Sequence, residues 1–174
     1  MTAVHPASAA RLTVRIGAVL FFLWGVLHIW VGYAGVSAYL AGLGPQWSLL
    51  IGGVNVPRTA FMLPSDAPTA LAQSQLLINF CLDVAGYGVL ALFVAWGLWT
   101  RSSWAAFAIG AVVIGICDLA FSFSLVTPGV IEKTLPVVAG PILWFLAIIV
   151  TPLGLYGLRS DTLRVQGSVR ARRS

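Results

Sequence analysis

"VVIGICDLAFSFSLV", residues 112 to 126, is as apolar as the middle of a membrane span, yet it carries Asp118. A charge at the centre of a transmembrane helix costs about 2.5–3.5 kcal/mol even on insertion scales, so a carboxylate kept there has a partner, a cavity or a job. The remainder of the chain says what kind of protein holds it. Of 174 residues, 59% are hydrophobic and only 9% charged, whereas a soluble domain carries about 25% charged residues. That composition excludes an ordinary soluble domain. It gives an all-α, polytopic integral membrane protein with a single domain.

A spanning helix needs about 20 predominantly apolar residues. Four runs reach that length, at 16–35 ("IGAVLFFLWGVLHIWVGYAG"), 77–99, 104–126 and 136–158, which predicts a four-helix bundle. Glycine and proline inside these runs are no objection, and tryptophan collects at membrane interfaces. Trp96, Trp99 and Trp104 flank the turn between the second and third runs, as an aromatic belt does. Residues 1–15 then form an N-terminal segment, 16–158 the membrane domain and 159–174 a basic tail.

The basic residues orient the bundle. Arg11, Arg15, Arg101, Arg159, Arg164, Arg170, Arg172 and Arg173 fall on one side, and only Arg58 and Lys133 on the other. The positive-inside rule places both termini in the cytoplasm of a multi-pass cell-membrane protein. The tail "LRVQGSVRARRS" directly follows a span, so it reads as attraction to anionic lipid headgroups, not as a nucleic-acid arm. The first run exceeds the 7–15 apolar residues of a signal peptide, which argues for its retention. Cys81 and Cys117 lie in spans without metal-ligand spacing and read as small buried residues.

The ionisable residues inside the runs fall at one depth. With a rise of about 1.5 Å per residue, His28 lies about 10 Å, Asp83 about 9 Å and Asp118 about 12 Å below the outer end of its span. Their faces look inward. His28 shares the stripe Gly25–His28–Gly32–Gly35, and small residues mark close packing of membrane helices. Asp118 shares a face with Ala111, Gly115 and Ser122. Asp83 belongs to the ladder Gln75–Asn79–Asp83–Tyr87, spaced i, i+4 along one polar stripe. A short repeat, "GVLHIWVG" against "GICDLAFS", sets His28 and Asp118 in equivalent places 90 residues apart, as two duplicated hairpins would.

Residues 36–76 face outward and contain "WSLLIGGVNVPRTAFML", apolar but broken by Gly and Pro. This predicts an interfacial or re-entrant lid over the bundle. Its Arg58, folded back, would answer Asp83 or Asp118; otherwise it rests among headgroups.

These residues predict an acid–base site. One carboxyl group donates a proton as general acid while His28 or the other Asp accepts one, which suits isomerisation, epoxide opening or cyclisation. The expected catalytic residues are Asp83, Asp118 and His28. Asn79, Tyr87, Ser122, Arg58 and Trp24 (one turn before His28) are the substrate-binding candidates. The chemistry needs no cofactor. No HxxxH or similar spacing points to a metal, and a lone intramembrane histidine does not suit haem. The partners are a lipophilic small molecule and membrane lipids, with a second copy of the chain as a candidate oligomer and nucleic acid excluded.

In architecture alone, the arrangement resembles small membrane-bound terpene cyclases and the sterol-isomerase superfamily, which place inward carboxylates in helical bundles. It also resembles the small DoxX-like four-helix proteins, a likeness that implies binding or transport. A third alternative is a polar cluster that only fixes helix register. Interhelical hydrogen bonds in membranes average about 0.6 kcal/mol, so two carboxylates are costly glue.

Overall fold

The computed structural model describes residues 6–171. Helix α1 is Pro6–Leu40, α2 Leu43–Leu50, α3 Ala67–Arg101, α4 Trp104–Val126 and α5 Leu135–Ala171, with no strand among the described residues. Helices α1, α3, α4 and α5 are each long and apolar enough to cross a membrane.

Three of the four helices overrun the expected spans. The run 16–35 sits inside Pro6–Leu40, 77–99 inside Ala67–Arg101 and 136–158 inside Leu135–Ala171. Residues 6–15 thus form the first turns of α1, and 159–171 continue α5. Apolarity marks only the stretch that suits hydrocarbon, whereas a helix ends where its backbone groups find other partners. At α3 these partners are explicit. Asp66 caps the start by accepting from Thr69 N–H at 2.8 Å, with Pro68 in the first turn, a position where proline's missing donor is harmless. Bonds from the Thr69 hydroxyl and N–H hold the Asp66 carboxyl below its usual range. At the far end Ser102 adopts left-handed φ 47° and donates its N–H to Leu98. Ser103 then caps α4, its hydroxyl accepting from Ala106 N–H at 3.2 Å.

Close packing of α1 on α3 follows from glycine. A Cβ on Gly25 would fall 2.7 Å from the Gly88 carbonyl, and one on Gly88 would fall 2.8 Å from that of Gly25. Gly32 and Gly35 meet Ala85 and Cys81 further along the same seam. Side chains there would push the backbones apart, which is why small residues mark such contacts. The core around Phe21, Trp24, Leu98, Ile114, Ala147 and Leu155 fills the bundle toward the end that carries the termini.

Helix α4 is irregular. Two π-helical turns, Gly110–Ile114 and Ser122–Val126, bracket the α-helical stretch Gly115–Phe121 that carries Asp118. The first has an identifiable cause. Trp144 of α5 lies against Gly115, where a Cβ would collide with its indole, and its Nε1 donates to the Gly110 carbonyl at 3.1 Å. A side chain inserted into a helical ladder is a known source of such bulges.

At the opposite end the two long connections are tied together. Gly53 N–H donates to Val130 and Asn55 N–H to Gly129, both at 3.0 Å, while Asn55 Nδ2 reaches the Pro128 carbonyl at 2.7 Å. Arg58 pairs with Glu132 at 3.0 Å. Of the stretch 36–76, residues 36–40 end α1 and 67–76 begin α3; α2 and a folded loop lie between, and Leu50 of α2 and Ile131 help line a cavity.

Candidate functional site

Asp118 is 3% exposed, the only acidic side chain among the described residues buried in the bundle. The bracketing π turns set the face it presents, and α1 supplies its partners. Trp24 Nε1 donates to Asp118 Oδ2 at 2.7 Å. One turn on, the His28 ring stacks on the Trp24 indole with centroids 3.5 Å apart and planes inclined by 16°. Spacing of i, i+4 puts both rings on one face of α1.

The histidine tautomer follows from its neighbour. His28 Nδ1 lies 2.8 Å from the Trp24 carbonyl oxygen, which only accepts, so Nδ1 carries a hydrogen. In the neutral ring Nε2 is then a lone pair, and it faces Asp118 Oδ1 at 3.8 Å. Two acceptors at that distance repel, and a proton on either relieves the repulsion. Gly140 of α5 packs directly on the pair. A Cβ there would lie 3.3 Å from Nε2 and 3.4 Å from Oδ1, and 2.9 Å from His28 Cε1. Only a residue without a side chain lets α5 come this close to both groups.

His28, Asp118 and Gly140 line a cavity of about 200 Å³ between α1, α3, α4 and α5. Leu27, Val31, Phe80, Val84, Phe121 and Val137 make its walls apolar, and the free thiols of Cys81 and Cys117 also border it. Pro141 lies in the wall and has no N–H to give the Val137 carbonyl, so the helix ladder is locally open beside the cavity.

The other expected residues lie elsewhere. Asp83 is exposed on the outside of α3, where its Oδ2 accepts from Asn79 Nδ2 at 2.9 Å. It is not the second carboxylate of the site, and exposed Asn79 does not line the cavity either. The i, i+4 ladder fixes which residues share a face but not where that face points. Tyr87 packs against the core cluster. Ser122 is half-buried at the start of the second π turn, outside the cavity lining. Arg58 answers Glu132 and the Ser48 carbonyl at 3.2 Å, not Asp83 or Asp118. Trp24 holds the acid itself. Sequence reasoning passed over Gly140 and Pro141, although Gly-Pro inside an apolar run is a visible signal of an opened helix. Among the described residues no three His, Cys, Asp or Glu side chains converge to hold a metal ion.

No family model matches the chain, and neither a curated protein nor a solved structure is found similar to it.

Proposed function

We propose that this chain is a multi-pass protein of the cell membrane with both termini in the cytoplasm, and that Asp118 and His28 perform acid–base chemistry on a lipophilic small molecule. The observation that carries the reading is that His28 Nε2 and Asp118 Oδ1 stand 3.8 Å apart and both residues line one apolar cavity.

The proton inventory suits a reaction without net redox change. His28 and Asp118 hold one proton between them beyond the Nδ1 hydrogen. Asp118 delivers it to a basic oxygen or double bond of the substrate, and His28 Nε2 removes a proton from a neighbouring atom. The pair ends with the proton on the other partner, and a second transfer between them resets the site. Such positioned acid–base groups contribute typically about 10²–10⁴-fold in rate. Trp24 keeps Oδ2 occupied, so Oδ1 is the oxygen left to react. Apolar walls select a lipophilic substrate, and the cavity lies at the end of the bundle that the arginine distribution places outside.

The test is the small-molecule content of the purified protein. Solvent extracts of wild type and of Gly140→Val are compared by mass spectrometry, and wild-type protein is then incubated with the compound it retains. A lipophilic compound present only in wild type, and converted to an isomer on incubation, is the expected result. Equal extracts from the two proteins would remove the site. A compound bound and returned unchanged would make the site one of binding or transport.

A further inference from the structure

At the end of the bundle far from Asp118, Arg11 and Arg15 of α1 and Arg101 of α3 surround a hollow of about 430 Å³, with Thr100, Ser102 and Trp99 in its wall. Three guanidinium groups around one hollow repel each other unless an anion lies between them. None of the three has a carboxylate within ion-pair distance among the described residues. Of the five acidic residues in the chain, only Asp161 follows the last span toward this end. The arginines are nonetheless held in place. Arg15 lies over the Trp99 ring at 5.1 Å and Arg101 over Trp96 at 5.4 Å, contacts that fix a guanidinium without neutralising it.

An apolar groove begins where the basic hollow ends. Ala18, Val19 and Phe22 of α1 with Leu92, Ala95 and Trp96 of α3 line a second space of about 420 Å³, almost without polar surface. Trp99 borders both spaces, so the two adjoin at that ring. Separately, a basic hollow suits any phosphate and an apolar groove any hydrocarbon. Joined end to end on the outer face of α1 and α3, they match one molecule that carries both.

We propose that this surface binds one acidic phospholipid, its phosphate among Arg11, Arg15 and Arg101 and an acyl chain along the α1–α3 groove. Guanidinium groups recognise phosphate through paired N–H donors, and basic pockets between membrane helices suit such headgroups. The Thr100 hydroxyl already donates to the Trp96 carbonyl at 2.7 Å, which leaves the Ser102 hydroxyl as the further donor in the wall. The proposal rests on the membrane insertion argued above, and sedimentation of the protein with cell membranes tests that premise separately.

The experiment is native mass spectrometry of the full chain released from two kinds of vesicle. One is phosphatidylcholine alone, and the other is equal parts phosphatidylcholine and phosphatidylglycerol. Wild type should retain phosphatidylglycerol in preference to phosphatidylcholine. Arg11→Gln, which disturbs no ring contact, should lower that preference roughly fivefold, the weight of one interfacial arginine. Val19→Trp, at an exposed position in the groove, should lower retention with all arginines in place. Inorganic phosphate in excess should not displace the lipid. Preference unchanged in Arg11→Gln would overturn the site. So would displacement by phosphate together with indifference to Val19→Trp, which would make the hollow a site for free phosphate. Should the arginine variant lose its fold, Arg11→Lys provides the reading instead: charge kept, fork lost, and preference reduced.

Discussion

The Trp24 indole donates a 2.7 Å hydrogen bond to Asp118 across 94 positions of sequence, joining α1 to α4 inside an apolar bundle. This bond satisfies one carboxyl oxygen and leaves the other facing His28. Trp24→Phe keeps the ring and removes the donor. A buried polar atom without its partner costs about 1–3 kcal/mol, so thermal unfolding in detergent should show a clear loss of stability. A double-mutant cycle with Asp118→Ala, which removes the acceptor, should give a coupling energy above about 0.5 kcal/mol, as for contacting residues. Additive effects would mean that the bond carries no stability.

The two aspartates separate structure from chemistry. Asp118→Asn still accepts from Trp24 and offers an amide toward His28 Nε2, so the protein should fold. It loses the transferable proton, and turnover of the retained compound should fall about 10²-fold or more. Asp83→Asn lies on the outside of α3 and should leave turnover within a factor of two. Equal losses in both would return Asp83 to the site.

Gly140 is the position where size alone decides. Its Cβ would stand 2.9 Å from His28 Cε1, so Gly140→Ala forces the ring to shift and disturbs the His28–Asp118 pair. Overpacking of this kind costs about 1–3 kcal/mol. Ligand retention should drop more steeply than stability, measured as bound compound against melting temperature on the same preparation. A variant with full retention would show that the ligand binds clear of the pair.

Arg58 and Glu132 are both about half exposed, with side-chain accessibilities of 51% and 48%. Exposed ion pairs contribute about 0.2–1 kcal/mol. Arg58→Ala should therefore lower the melting temperature slightly and leave ligand retention intact, with high salt erasing the difference. A large loss of retention would give Arg58 a place in the site after all.

Orientation is checked by labelling. With Cys81 and Cys117 changed to Ala, a cysteine introduced at Pro128 should react with an impermeant thiol reagent in intact cells, and one at Ser102 should not. The reverse pattern would turn the bundle over, and with it the leaflet from which the cavity is reached.

Much of this was legible from residue order, and the boundary of legibility is physical. The four apolar runs mark the four long apolar helices because length and hydropathy are local properties. Asp118 and His28 stand out because charge in hydrocarbon is costly wherever it occurs, and the short repeat pairs them. Asp83 misleads for the same reason, since cost alone does not say which way a helix face turns. The glycines beside His28 show the difficulty. Gly25 and Gly32 serve the seam with α3, while His28, rotated about 40–60° from them around the helix, looks toward Gly140 and Asp118. The cavity depends on a side chain that Gly140 lacks, and an absence leaves only the faint trace of Gly-Pro in an apolar run.

A π turn holds one more residue than the α turn it replaces, so α4 can be viewed as a regular helix with an insertion on each side of Asp118. Each residue inserted rotates everything beyond it by about 100° relative to the helix before it. Removing one residue from Gly110–Ile114 would let that segment relax to an ordinary ladder and swing the acid away from Trp24, with no change in the composition of the span. A deletion of one codon there is thus enough to take the carboxylate out of the bundle interior without substituting any residue.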